Sequence, residues 1–267
     1  MNFDIIIIGA GPSGLALVCS LSKTNLKIAV VEKLPRVSFS KPQYDGREIA
    51  LTHRSVKILK KIGAWSFIPS SSISLVKEAR IKDGTSAYFL HFDHKKTNRD
   101  SLGYIISNQE IRKALFKKFK KIFTWLNGFL GKMELVSDQY EYPMITVHAN
   151  QFYKDRFAVI GDAAVGMHPV TAHGFNLNLR GIDILTKEIK FALNEKNNIG
   201  SSIVLNSYEK KFRKITMSMY LATNNIVKLY TNQSFPAKIV RKTVLRLGNI
   251  IWPIKNAIMD ELLIKHS

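Results

Sequence analysis

The apolar positions of this chain fall into short unbroken runs near the N-terminus and into helical spacing further on. Ile5 to Ile8 is a β-branched run that predicts a strand buried on both faces. Leu15 to Leu21 reads as a helix, and Ile28 to Val31 as a second buried strand ending at Glu32. Asp45 to Leu51 leads into Val56, Ile58, Leu59 and Ile62, whose helical spacing stops at Gly63 and places Arg47 just before a helix. Ile73 to Phe92 alternates loosely, as a strand pair would, with Asp83-Gly84 as its turn. Gly103 to Ser107 predicts a strand, and Asn108 to Ile122 a helix with Ile111, Leu115, Phe116 and Phe119 inward and lysines outward. Trp125 to Glu141 has no clear pattern, whereas Tyr142 to Val147 resembles a strand with an edge proline.

In the second half, Phe157 to Ile160 predicts a buried strand running into Gly161-Asp162. Phe175, Leu179, Ile182, Leu185, Ile189 and Leu193 share one helical stripe, whose N-terminal end points back at the Gly-Asp turn. Leu205, Tyr208, Phe212, Ile215, Met219, Ala222, Ile226 and Leu229 step by three and four along a long amphipathic helix, and the tail from Phe235 is helical in pattern.

Chemistry enters between the first strand and helix. Gly9-Ala10-Gly11-Pro12-Ser13-Gly14 follows a strand, opens a helix and precedes a second strand that ends in an acid. In that context Gly9 permits a tight turn, Gly11 lets a pyrophosphate approach the backbone, and Gly14 lets helix and strand pack closely. The helix N-terminus offers unpaired N–H groups to phosphate, and Glu32 is placed to accept hydrogen bonds from ribose hydroxyls. Arg47 can pair with a pyrophosphate through its planar fork or lie on the surface. Asp162 can face a ligand or cap a helix, and His168 can be a satisfied loop histidine.

Composition narrows the class. The 267 residues hold 46% hydrophobic positions, enough for one large domain or two modest ones. Cys19 is the single cysteine, so neither an intrachain disulfide nor a cysteine metal site can form. No apolar run approaches the ~18 residues needed to span a bilayer. Asp4 interrupts the N-terminal apolar stretch with no basic region before it, which argues against a secretory signal. The net charge of +20 fits attraction to nucleic acid, anionic lipid or acidic proteins, or a drift in composition toward Lys, Asn and Ile. Leu205 to Ser267 holds eleven Lys or Arg against three acids, interspersed with apolar residues, which suits a membrane surface or a partner interface. No nucleic-acid module accompanies the charge, so nucleic acid is not among the partners inferred.

Three separated motifs, GAGPSG with Glu32, DGREIAL from Asp45 to Leu51, and GDAA…HP…GFNLN from Gly161 to Asn178, together resemble the FAD-dependent aromatic-ring hydroxylases. These are the class A flavoprotein monooxygenases, and the likeness is closest to their ubiquinone-biosynthesis branch. The resemblance covers Met1 to about Lys121 and about Met133 to the C-terminus.

It implies an α/β fold: a Rossmann-like FAD-binding domain, with a parallel sheet flanked by helices, a truncated substrate-domain β-sheet and a helical C-terminal region. The corresponding division is 1–195 for the FAD-binding domain, with a substrate-domain remnant at about 64–108 inserted, and 196–267 for the helical region. By the same resemblance Gly9, Gly11, Gly14 and Glu32 hold the ADP half of FAD, and Arg47 lies near its pyrophosphate. Arg112 faces the flavin nucleotide, Asp162 contacts the ribityl and pyrophosphate region, and Pro169, Gly174, Phe175 and Asn176 run along the isoalloxazine ring. No catalytic residue is singled out.

The implied activity is hydroxylation of the aromatic ring of a polyprenylated phenol or quinol in ubiquinone biosynthesis. FAD is reduced by NAD(P)H or another reductant and uses O2 as co-substrate. Other ubiquinone-biosynthesis proteins are implied partners, and the implied location is cytoplasmic, with peripheral contact at the inner membrane. The chain departs from the family between Lys121 and the strand before Asp162, where members carry a further ~100 residues, a small domain's worth. That segment includes an Asp-Gly motif after a buried strand and most of the sheet covering the substrate. Its absence makes a catalytically impaired FAD-binding or non-catalytic subunit, associating with partner hydroxylases or membrane, the alternative reading.

Overall fold

A computed structural model describes residues 2–33, 42, 44–82, 89–123, 146–167, 174–232 and 234–250. Strand β1 (Ile5–Ile8) enters the glycine turn, helix α1 (Pro12–Leu21) returns antiparallel to it, and β2 (Ile28–Val31) lies parallel to β1 in register Ile5 to Ile28. This is the Rossmann-like α/β unit that the sequence predicts. Helix α1 is the centre of the core: Leu15, Leu17, Val18, Cys19 and Leu21 are all buried. The strand expected to be buried on both faces is not. Ile7 faces α1, but Ile8 on the other face is 79% exposed and Ile6 is also exposed. The reason is a missing layer: among the described residues β1 pairs only with β2, and nothing covers the far side of the pair.

Strand β3 (Glu48–Leu51) follows, and then α2 (His53–Lys61), capped by Thr52, whose side chain accepts the Ser55 N–H. Arg47 therefore precedes a strand and not a helix, a correction to the sequence reading. The run Glu48 to Leu51 is too short to show its alternation, and the N-cap at Thr52 marks the true helix start. Strands β4 (Ser74–Val76), β5 (Glu78–Lys82), β6 (Phe89–Asp93) and β7 (Gly103–Ser107) complete a second, antiparallel region. Its order is β3-β7-β4, with β5 and β6 forming the predicted hairpin, whose turn at Asp83-Gly84 lies outside the described residues.

Helix α3 (Asn108–Phe123) packs against α1 through Ile111, Leu115 and Phe116, as its spacing predicts. The stretch Trp125 to Glu141, and the predicted strand as far as residue 145, lie outside the described residues.

Short strands β8 (Val147–His148), β9 (Tyr153–Lys154) and β10 (Phe157–Ala158) come next, then a 3-10 turn at Gly161–Ala163 and β11 (Val165–Gly166). Here too the sequence reading needs correcting. Phe157 to Ile160 is not a buried strand: β10 pairs antiparallel with β9 across a tight turn with Asp155 at φ 50°, and Phe157 is 59% exposed. An apolar run of four residues does not reveal whether a neighbouring strand exists to bury it.

Helix α4 (Gly174–Asn194) buries Leu179, Ile182, Leu185 and Ile189, the predicted stripe, and packs against α1. Helix α5 (Ser202–Thr231) packs on α4 through Leu205, Tyr208 and Phe212. Beyond Phe212 only Thr216 and Thr223 of this helix are buried, and Ala222 and Ile226 of the predicted stripe are exposed. Helix α6 (Phe235–Ile250) lies against β6 and is pinned to α5 by Arg241. The Arg241 guanidinium donates to the carbonyls of Leu229 (2.9 Å) and Asn232 (2.7 Å) at the end of α5. No helix among the described residues is long and apolar enough to cross a membrane.

Candidate functional site

The glycine loop shows why each glycine is needed where it stands. A Cβ on Gly14 would lie 2.0 Å from the Gly9 carbonyl oxygen, so helix and loop could not approach this closely with any other residue. Gly11, the N-cap of α1, has no side-chain cap, and nothing lies within 4 Å of where its Cβ would be. The first bond into the helix is Leu15 N–H to the Gly11 carbonyl (3.0 Å), so the Ser13 and Gly14 N–H groups face outward without an intrahelical acceptor. Outward-facing N–H groups at a positive dipole end, with open space before them, suit an anion.

Glu32, just past β2, reaches back to this loop. Its Oε2 accepts the Ala10 N–H at 2.6 Å, which fixes a carboxylate beside the glycine loop.

The second glycine turn meets the first. Gly161 has φ +65°, the left-handed region, and a Cβ there would stand 2.8 Å from Ser13 Oγ and 3.0 Å from Ser13 Cβ. The Gly-Asp turn is therefore seated directly on the N-terminus of α1. Asp162 is exposed beside that contact, and its Oδ1 accepts a hydrogen bond from Asn178 Nδ2 at 2.7 Å. Asn178, one turn into α4, is buried, and its Oδ1 has no partner among the described residues. Asp162, held by Asn178, thus stands beside the N-terminus of α1, and Glu32 is tied to the same glycine loop. Hydroxyl groups of a ribose or ribityl chain match the carboxylates, and a pyrophosphate matches the N–H groups.

Other predicted residues lie around this centre. Asn176 is buried, and its amide is consumed by structure. Oδ1 accepts from the Ser55 hydroxyl (2.6 Å) and the Thr52 N–H (3.0 Å), and Nδ2 donates to the Ala50 carbonyl (2.8 Å). It ties the start of α4 to the β3–α2 junction.

Arg47 is an exposed side chain whose fork is gripped by Asp45, with Nε at 2.9 Å and Nη2 at 2.5 Å from Oδ2. Partial burial pushes the Asp45 carboxyl up, but hydrogen bonds from the Arg47 and Asn108 side chains and from the Arg47 N–H outweigh it and hold it below its ordinary value. The Arg47 carbonyl accepts the Asn108 N–H at 2.8 Å, so Arg47 stands at the entrance to α3, and Arg112 lies one turn further along that helix. Pro169 and His168 lie outside the described residues.

Sequence reasoning gave no role to Ser13, Asn178, Thr52 or Ser55. Small polar residues inside glycine motifs were the available signal for the first two, whereas Thr52 and Ser55 are recognisable only from a partner 121 or more positions away.

Comparison with known proteins agrees with this geometry. Residues 7–54 match the NAD(P)-binding Rossmann-like domain family. Ubiquinone hydroxylase UbiM of Neisseria meningitidis is 31% identical over 390 aligned positions, covering 98% of this chain and 85% of that protein. The chain belongs to the ubiquinone hydroxylase family.

This is a family of FAD-dependent monooxygenases, hence of oxidoreductases, and FAD is the cofactor that the Gly11 opening and its carboxylates fit. The UbiM match runs over more positions than this chain has residues, so residues of the relative fall in gaps here. Ubiquinone hydroxylase UbiL of Rhodospirillum rubrum is 29% identical over 49% of this chain and 30% of that protein. Mouse mitochondrial ubiquinone biosynthesis monooxygenase COQ6 is 29% identical over 73% and 40%. The chain thus spans less than half the length of these last two relatives. Among solved structures, p-nitrophenol 4-monooxygenase PnpA of Pseudomonas putida superposes with a TM-score of 0.73 at 11% identity, covering 96% of both chains. PqsL of P. aeruginosa gives 0.65 at 11% identity over 83% of this chain and 95% of the other. Both likenesses establish the monooxygenase-type fold.

Proposed function

We propose that this protein binds FAD and hydroxylates the aromatic ring of a polyprenylated phenol or quinol intermediate of ubiquinone biosynthesis, with O2 as co-substrate and NAD(P)H or another reductant as electron donor. The observation that supports this reading is the seating of the Gly161–Asp162 turn on Ser13, which brings two motifs distant in sequence into contact at the N-terminus of α1. In this reading Gly9, Gly11 and Gly14 admit the pyrophosphate, and Glu32 holds the adenosine ribose. Asp162, steadied by Asn178, holds the ribityl side, and the backbone from Gly174 to Asn176 runs along the flavin ring together with Pro169. Arg47 and Arg112 close the site from the α3 side, Arg47 by releasing Asp45. FAD supplies the oxygen-transfer chemistry when bound; the chain's own residues bind it, orient it and hold its charged groups. The FAD-binding domain spans 1–195 with a substrate-domain remnant at about 64–108, and 196–267 forms the helical region. A lipid-tailed substrate places the work at the cytoplasmic face of the inner membrane, alongside other proteins of the same biosynthesis.

A second reading is a catalytically impaired FAD-binding or non-catalytic subunit that associates with partner hydroxylases or membrane. The open apolar face at Ile6 and Ile8, with the internal gap relative to UbiM, favours it. Reductant-dependent O2 consumption in the presence of a quinol-precursor analogue decides between them. Analogue hydroxylation coupled to O2 uptake supports the enzyme. FAD uptake without any hydroxylated product supports the subunit.

A further inference from the structure

We propose that the outward face of α5 is a docking surface for an anionic lipid bilayer. This deepens the membrane-side reading above by naming the surface, and its test does not depend on activity. Ile203, Lys210, Lys214, Met217, Leu221 and Lys228 are separated by seven, four, three, four and seven positions, the spacing that keeps side chains on one face of a helix. All six are exposed, Ile203 by 82% and Leu221 by 53%. This face is distinct from the one that Leu205, Tyr208 and Phe212 bury against α4.

An apolar residue of this size gains nothing by standing in water. Two large apolar side chains in the middle of a lysine-lined stripe, with a third at its start, therefore mark a surface that meets something apolar and negatively charged.

The charge identifies the occupant. From Lys210 to Met259 there are ten Lys or Arg and no acid. Of the cations on α5, Lys211 is engaged by Glu188 and Arg213 by Glu209, but Lys210, Lys214 and Lys228 have no ion pair among the described residues. An acidic protein partner would need a matching helical array of carboxylates, whereas a lipid surface supplies negative charge everywhere and hydrocarbon just beneath it. Helix α5 is 30 residues, about 45 Å long, and no part of it is apolar enough to span a bilayer, so the geometry is that of lying on the surface. At the C-terminal end of the stripe, α6 adds Phe235 and Ile239, both exposed, with Lys238 between them, and Arg241 anchors this turn to α5.

Co-sedimentation of the full chain with vesicles tests this. Binding is expected to vesicles of phosphatidylcholine mixed with phosphatidylglycerol, weakly or not at all to phosphatidylcholine alone, and to fall as salt rises. Combining K210E, K214E and K228E is expected to lower the partition coefficient on the order of a hundredfold, each lysine contributing a several-fold factor. M217E with L221E is expected to abolish the part of the binding that survives high salt. Both variants are expected to take up FAD as the wild type does, so a failure of the lipid proposal and a failure of the flavin reading are distinguishable. Wild-type protein that ignores anionic vesicles, sediments without vesicles through self-association, or binds unchanged in either variant would overturn the proposal.

Discussion

At Gly11 the backbone sits at φ −63° and ψ 176°, a conformation alanine adopts without strain, and no atom lies within 4 Å of the Cβ position. Gly11→Ala therefore separates folding from cofactor binding. Loss of unfolded-chain freedom favours the variant by about 0.4–1 kcal/mol, and alanine's weakness as an N-cap costs a similar few tenths to about 1 kcal/mol. The two nearly cancel, so the cofactor-free variant should unfold within about 0.5 kcal/mol of the wild type. The added methyl does, however, project into the opening before the Ser13 and Gly14 N–H groups. Displacing a pyrophosphate far enough to lose one charge-assisted hydrogen bond costs about 1.5–3 kcal/mol, roughly 10- to 150-fold in Kd. Urea unfolding of the cofactor-free proteins and flavin-fluorescence titration measure the two quantities separately. Unchanged stability with unchanged FAD affinity would refute the placement of the pyrophosphate at Gly11; a large loss of stability would refute the openness of that position.

Three other outcomes follow from contacts of the same kind. Gly14→Ala sets a methyl carbon against the Gly9 carbonyl, so it should lose about 3 kcal/mol of stability together with FAD binding; a normal urea midpoint would contradict that contact. Asn176→Ala leaves the buried Ser55 hydroxyl and the Thr52 N–H without their acceptor and should cost about 3 kcal/mol, and a loss below about 1 kcal/mol would show the tie to be dispensable. Burial pushes the Cys19 thiol up to about 12 from an ordinary 9.0, with Lys118 pulling part way back. Because the folded value is the higher one, its contribution to stability is complete below about pH 9 and is lost as pH rises toward 12. Native protein should resist a thiol reagent at neutral pH and react on unfolding; rapid native labelling would place Cys19 outside the core.

How much of this was legible in the sequence depended on how local the physics is. The unit from Ile5 to Glu32 could be read because strand, glycine turn, helix and acid constrain one another within a single short stretch, and the bond from Ala10 to Glu32 closes it. The stripes of α3 and α4 were legible because helical spacing repeats over several turns. Apart from the four-residue strand after Arg47, too short to declare itself, the failures concern burial by a distant partner. Ile6, Ile8 and Phe157 look like core residues, yet their exposure depends on neighbouring strands that are absent from the described structure. Ala222 and Ile226 continue a perfectly regular stripe past the point where α4 can cover it. In the site, the glycines declared themselves through backbone requirements, but the polar ties did not. The family resemblance alone set Asn176 along the flavin ring, and only the fold reveals that Thr52, Ser55 and Ala50 occupy its amide.

The central claim is that the turn at Gly11 and the turn at Asp162 serve one flavin dinucleotide. Titrating the purified, cofactor-free protein with FAD while following flavin fluorescence addresses it most directly. Saturable uptake of one FAD per chain, weakened tenfold or more by Gly11→Ala and also by Asp162→Ala, is the predicted result. No uptake, or uptake indifferent to both substitutions, would contradict it.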